Sequence, residues 1–284
     1  MSSTSTFVPP SDPPKYIGID VDNTFHTHDV AHFAKNKKAF RKLLESGYRP
    51  LFATGRPLAV AQYVLDELST DGVYNGYPGV YQNGATVYNE RGELVRKVKF
   101  SESFLRDFCA MVKARSLEQI VVFLTASEMY GLVEDSACWK KMCEVWDLTA
   151  KLHVVSVEEI VKADIVQIMV SKYKDLRDHI PGEADVDFTG KVGTCGLTDV
   201  NPPRVNKLEG MRALLTHEKA NTADFAFIGD GSNDVEALQA SKWSFAVGNA
   251  SDSVKATAKN VLEETCDQAA FAKMAELLYG INVE

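Results

Sequence analysis

The chain has 284 residues, 45% of them hydrophobic, and carries 39 Asp+Glu against 31 Lys+Arg, a net charge of −8. That composition excludes long disorder, collagen-like repeats and fibrous structure, and the length suits one large or two moderate domains. The acidic balance disfavours nucleic acid or an anionic membrane as partner, and no apolar run is long enough to span a bilayer.

Residues 1–15, rich in Ser, Thr and Pro, lack the basic and apolar regions of a secretory signal and are expected to form a disordered tail. Tyr16-Ile17-Gly18-Ile19 is a short apolar strand that stops at Asp20. A helix follows, with Val30, Phe33, Phe40 and Leu44 on one face, Asp29 as its cap and Gly47 as its stop. Pro50–Ala53 is the second strand, then Thr54-Gly55-Arg56, then a helix opened by Pro57 and carrying Leu58, Ala61, Leu65 and Leu68. This strand–helix alternation is the rhythm of a parallel sheet. Ala85–Tyr88 and the segment Leu94–Val98 read as a hairpin around the turn at 89–92.

Between about 100 and 200 the rhythm changes. Helices are expected at 101–115, 136–147, 157–163 and 173–180, and strands at 119–125, 129–134, 152–155, 164–170, 185–189 and 193–199. Adjacent strand pairs imply a mixed or antiparallel sheet, most simply a second domain inserted into the first. After Pro202-Pro203 the first rhythm returns, with a helix at 207–219, a strand ending at Gly229-Asp230, a further helix, a strand at 244–247 and helices at 252–259 and 267–279. The fold class is therefore α/β, a Rossmann-like parallel-sheet core of 16–88 and 202–284 interrupted by an α/β cap of 89–201.

Three polar clusters, Asp20-Val21-Asp22-Asn23-Thr24, Thr54-Gly55-Arg56 and Gly229-Asp230-Gly231-Ser232-Asn233-Asp234, each follow a core strand. The carboxyl ends of parallel strands share one edge, where α/β proteins bind ligands, so these clusters should converge. Asp20, Asp22, Asp230 and Asp234 would then repel one another unless some protonate or a cation sits among them. An all-oxygen set suits a hard ion, Mg²⁺ before Zn²⁺.

The D-x-D-x-T at 20–24, the Thr of A-T-G-R at 54, Lys207 and G-D-G-S-N-D at 229–234 together resemble the haloacid dehalogenase-like phosphohydrolases. A-T-G-R, Q-N-G-A at 82–85, V-N-K-L-E-G at 205–210 and the element order of 101–199 are similar to the Cof-type branch with its α/β cap. Asn23 stands where Gly is usual and Phe25 where Leu is common; Asn tolerates left-handed backbone, so neither should matter. The resemblance implies Mg²⁺ held by Asp20, the Asp22 carbonyl and Asp230, with Lys207 as a second positive charge. Asp20 would attack a phosphomonoester to form an aspartyl-phosphate, and Asp22 would serve as acid and then base. Thr54 and the amides of 21–24 and Gly55 would hold phosphoryl oxygens, with Asn233 as a further donor and Asp234 orienting Lys207 or a water.

Several assignments stay open at this level. Arg56 either contacts ligand or pairs with an acid, Asn83 is either a turn residue or a ligand contact, and Asp234 could instead cap a helix. His26, His28 and His32 are expected to form a flap at the crevice mouth rather than a metal site. Gly229-Asp230-Gly231 is no dinucleotide fingerprint, since Asp234 stands at the third glycine position. Trp139 and Trp146, seven apart, are assigned to the cap core, and segments 125–131 and 193–200 to the substrate side of the cap. Five scattered cysteines suggest reduced thiols in a cytoplasmic protein, monomer or homodimer. The expected activity is Mg²⁺-dependent hydrolysis of a small phosphorylated metabolite, a sugar phosphate or nucleotide-like cofactor. Its alternatives are a phosphosugar mutase and a non-catalytic phosphometabolite-binding protein.

Overall fold

A computed structural model of the chain describes residues 7–283 except 62–63, 66–67, 69–71, 73, 150 and 193–195. The first segment runs β1 (Tyr16–Ile19), α1 (Val30–Glu45), β2 (Arg49–Ala53), β3 (Gly79–Tyr81), β4 (Thr86–Tyr88) and β5 (Leu94–Lys97). The middle segment begins with α2 (Glu102–Ala114), β6 (Val121–Leu124), β7 (Met129–Gly131), α3 (Ala137–Trp146), β8 (His153–Val154) and α4 (Val157–Lys162). It closes with β9 (Gln167–Val170), α5 (Tyr173–Leu176), β10 (Thr189–Val192) and β11 (Thr198–Asn201). The last segment holds α6 (Lys207–His217), β12 (Phe225–Gly229), α7 (Val235–Ala240) and β13 (Trp243–Ala246). It ends with α8 (Asp252–Lys255), β14 (Asn260–Val261) and α9 (Ala270–Tyr279).

Two sheets result. The larger has the order β14-β13-β12-β1-β2-β3-β4-β5, parallel from β14 to β3 and antiparallel at β4 and β5. Its central strands β1 and β12 are buried along their whole length, as unbroken apolar strands covered on both faces must be. The smaller has the order β10-β11-β9-β6-β7-β8, antiparallel except for the parallel pair β7–β8. The parallel-sheet core with a second, mixed sheet is the architecture expected. β5, counted above with the inserted segment, extends the larger sheet, because the Asn89–Glu93 turn keeps it beside β4.

Local differences have local causes. In α1 the buried stripe is Phe33, Asn36, Ala39, Phe40 and Leu43, while Val30, expected on it, is 84% exposed at the first turn. Asp29 caps this helix as expected, accepting from His32 N–H at 2.9 Å. Of residues 185–189, expected as a strand, 185–188 form a turn closed by Asp185 N–H on the Phe188 carbonyl, so β10 starts only at Thr189. Of the helix expected after Pro57, Leu65 and Leu68 are buried, and parts of its length lie outside the described residues. The N-terminal segment is not wholly free: Phe7 packs edge-on against Trp243 and tilted against Phe245, and Tyr279 Oη donates to the Pro14 carbonyl. Aromatic area buried against the core offsets the entropy of ordering it. Among the described residues, no helix is long and apolar enough to cross a membrane.

Candidate active site

β12, β1 and β2 are neighbours, with Ile19 opposite both Ile228 and Phe52, so the residues after each strand emerge side by side. Asp20 N–H donates to the Ile228 carbonyl, and a wide turn follows in which Phe25 and His26 N–H reach back to the Asp20 and Val21 carbonyls. The turn requires left-handed backbone at Asn23, φ 56°, which Asn accepts. Thr24 Oγ1 donates to Asp230 Oδ1 at 3.3 Å, tying the first loop to the third.

Lys207 opens α6 under this edge with its side chain wholly buried, contrary to the solvated position usual for a lysine at a helix start. Its Nζ lies 2.5 Å from Asp20 Oδ1 and 2.6 Å from Asp234 Oδ1. Burial disfavours the ammonium, but Asp20 and Asp234 outweigh it and hold the lysine pKa above its ordinary value. Asp234 does not cap α7 with its side chain. Its Oδ2 accepts the N–H groups of Asp230 and Gly231, so Asp234 fixes the third loop and Lys207 together. α6 reaches this depth because Gly84 and Gly210 meet back to back. A Cβ on Gly84 would stand 2.5 Å from the Asn206 carbonyl, and one on Gly210 would stand 2.9 Å from Gly84 Cα.

Asp20, Asp230 and Asp234 bring carboxylate oxygens within 4.8 Å of one another. Burial, then the neighbouring Asp234 charge, lifts Asp20 well above the usual carboxylate range and Asp230 up to about 6. Carboxylates crowded to that degree lack positive charge, and the all-oxygen donor set fits a hard divalent cation. The ligand expected of Asp22 is its backbone carbonyl, and the Asp22 side chain stands apart from this cluster. It accepts two hydrogen bonds from Arg56, at 2.8 and 2.6 Å. Arg56 therefore pairs with an acid, and its guanidinium also lies 5.7 Å from the Trp146 ring centroid on α3.

Thr54 is fully buried and its Oγ1 accepts the Arg56 N–H. Asn83 takes the turn role, with a φ of 56°, and its side chain joins the core edge to the smaller sheet. Asn233 Nδ2 donates to Asn83 Oδ1 at 3.0 Å, and Asn83 Nδ2 donates to Asp199 Oδ2 on β11 at 2.7 Å.

A haloacid dehalogenase-like hydrolase model matches residues 17–274. The chain belongs to this family. A HAD/COF-like hydrolase structure from Plasmodium vivax superposes with a TM-score of 0.83 at 23% identity, over 96% of this chain and 98% of that one. The Arabidopsis thaliana chloroplastic endoribonuclease YBEY is 26% identical over 257 residues, 86% of this chain but 43% of that protein, so this chain spans well under half of it. The Escherichia coli 5-amino-6-(5-phospho-D-ribitylamino)uracil phosphatase YbjI is 23% identical over 256 residues, 86% of this chain and 89% of that one. By the match over residues 17–274 this chain is a haloacid dehalogenase-like hydrolase.

In the hydrolase a cavity of about 670 Å³ lies between the sheet edge and the cap, with Asp20, Asp22, Gly55, Arg56, Asp230 and Asn233 in its wall. His26 and His28 line it too, placing the flap at the crevice as expected. The cap side was harder to foresee. Of the segment 193–200, Leu197 and Asp199 reach the cavity, residues 193–195 lie outside the described residues, and none of 125–131 lines it. Trp146, assigned to the cap core, lines the cavity while packing on Met142 and Cys138, whereas Trp139 packs with the same cluster only. The overlooked signal was the period-two pattern of β9 and β11: Met169 and Asp199 are opposite one another and share a face.

Proposed function

We propose that this hydrolase is a Mg²⁺-dependent phosphatase that cleaves a small phosphorylated metabolite, a sugar phosphate or nucleotide-like cofactor, through an aspartyl-phosphate on Asp20. The observation that carries the reading is the Asp20 carboxylate held by buried Lys207 beside Asp230 in the wall of a metabolite-sized cavity. Asp20, Asp230 and, more remotely, Asp234 would hold Mg²⁺, which supplies the positive charge that lets an anionic nucleophile approach an anionic ester. Asp20 forms the bond to phosphorus as the bond to the leaving oxygen breaks. Asp22 delivers a proton to that oxygen and then takes one from the water that cleaves the aspartyl-phosphate. For this Asp22 must exchange its bond to Arg56 for one to the leaving group, and Arg56 orients it beforehand. Thr54, the Gly55 amide and Asn233 offer donors to the phosphoryl oxygens, Asn233 through its placement beside Asn83. Four unpaired cysteines, at 109, 138, 143 and 266, support a cytoplasmic setting.

The test is release of inorganic phosphate from p-nitrophenyl phosphate and a metabolite panel, in Mg²⁺ and in EDTA. Turnover in Mg²⁺ that EDTA removes is expected, and no turnover in either condition overturns the proposal. The same assay separates the alternatives. A mutase would keep phosphate on the sugar, and a binding protein would retain ligand without turnover.

A further inference from the structure

The cap places one carboxylate in the cavity that the chemistry above does not use. On the smaller sheet, alternate residues divide by face: Val121, Phe123, Ile168, Val170 and Val200 pack with α2 and α4. Val122, Leu124 and Met169 face the other way, packing with Leu197 and with α3 through Met142 and Trp146. Asp199 stands on this second face opposite Met169 and lines the cavity with Met169, Leu197 and Trp146. A charge amid apolar surface is costly to retain without a role.

Its position relative to the loop after Thr54 is set. Asp199 Oδ2 comes within 3.1 Å of where a Cβ on Gly55 would sit, so the loop that follows Thr54 passes directly beneath it. The Asn233–Asn83–Asp199 line of hydrogen bonds ties it to the core edge. An ionised carboxylate only accepts hydrogen bonds. Asp22, Asp147 and Asp267 line the same cavity, as do His26 and His28, and Arg56 pairs with Asp22 until that acid turns to the leaving group. A second phosphate or carboxylate on the ligand would meet carboxylates there, whereas a hydroxyl or ammonium would meet an acceptor.

Resting on the phosphatase reading, we propose that Asp199 is the residue that reads the leaving group. It accepts a hydrogen bond from a hydroxyl or ammonium near the ester and rejects esters that carry a second anionic group. The apolar wall of Met169, Leu197 and Trp146 covers the remainder of the leaving group.

The test compares wild type with Asp199→Asn and Asp199→Ala on p-nitrophenyl phosphate, glucose 6-phosphate, glucosamine 6-phosphate and 6-phosphogluconate. The expected wild-type order places the neutral and amino sugars above 6-phosphogluconate in kcat/KM. Either variant should lose about 10- to 100-fold in kcat/KM on the two donor-bearing sugars, the worth of one charge-assisted hydrogen bond. Asp199→Asn, whose amide oxygen can still accept from Asn83, should stay within about twofold of wild type on p-nitrophenyl phosphate, which offers no donor, and both variants should narrow the gap to 6-phosphogluconate. Equal losses on all four esters would give Asp199 a structural role and overturn the inference. A wild-type preference for 6-phosphogluconate, or turnover of p-nitrophenyl phosphate with none of the sugar esters, also overturns it. Absence of all hydrolysis by wild type would instead sink the phosphatase reading, and this inference with it.

Discussion

The Lys207 ammonium lies 2.5 Å from the Asp20 carboxylate across 187 residues of chain, with none of the lysine side chain exposed. Removing one member of a buried pair leaves the other charge uncompensated, at a cost of about 3–5 kcal/mol. Lys207→Met is therefore expected to lower the thermal midpoint strongly and to reduce kcat by about 100-fold or more, the scale of a lost charge contact in a transition state. Thermal melts with steady-state kinetics check both, and a variant of unchanged stability would show that the pair contributes little.

Asp20→Asn should abolish turnover while leaving the fold intact. Asp20 is lifted well above the usual carboxylate range by burial and by Asp234, so the neutral amide relieves repulsion while Lys207 keeps Asp234 as its partner. In EDTA the variant should melt at or above the wild-type temperature. A near-normal rate would remove Asp20 from the nucleophile's role.

With Asp22 as the proposed acid, the effect of Asp22→Ala should grow with leaving-group pKa. Expected losses are about 10²–10⁴-fold on alkyl phosphates, and less on p-nitrophenyl phosphate, whose leaving group needs no proton. Arg56→Lys should share this pattern in weaker form, since an ammonium cannot reproduce the two-pronged contact with Asp22. Rates falling equally across leaving groups would argue against the acid role.

Mg²⁺ should stabilise the folded protein by mass action, about 2.7 kcal/mol at a hundredfold excess over its dissociation constant. Asp230→Asn should weaken that thermal shift, and Asp22→Ala should leave more of it, because the Asp22 side chain lies outside the carboxylate cluster. A denaturant series with and without Mg²⁺ measures the difference. Equal shifts in all three proteins would move the metal elsewhere.

Asp199 supplies a pH dependence of stability. Burial raises its pKa to about 6 against the hydrogen bond from Asn83, which lowers it. Because the folded chain holds this proton more tightly than the unfolded chain, its stabilisation is fully present below about pH 4 and is lost as pH rises through about 6. The loss amounts to at most about 3 kcal/mol. Asp199→Asn should flatten that part of the stability profile, measured in EDTA so that metal binding does not contribute. An unaltered profile in the variant would show that Asp199 ionises as it does in the unfolded chain.

The sheet edge was legible in the amino-acid order because local signals and the global fold agree there. Apolar strands that stop at Asp20, Thr54 and Asp230 can be buried on both faces only in a parallel sheet, and such a sheet brings their ends together. The cap was partly legible: its helices at 101–115 and 136–147 were expected, and Ser101 and Ser136 start them by accepting the Phe104 and Trp139 N–H groups. Misjudged positions were those where one face of an element must be chosen. Val30 fitted the apolar spacing of α1 yet points to solvent, whereas Trp146 does join the cap core, as its stripe implies, and borders the cavity as well.

By itself, the order of residues determined the parallel core, the polar loop at Asp20–Thr24 and the family, since these depend on short patterns and on strand ends that geometry forces to one edge. Only the tertiary structure decided that Asp22 binds Arg56, that Lys207 is buried between Asp20 and Asp234, and that Asp199 hangs over Gly55. Those pairings join side chains from separate segments, and the packing of the cap against the sheet edge, invisible to any local periodicity, chooses among them.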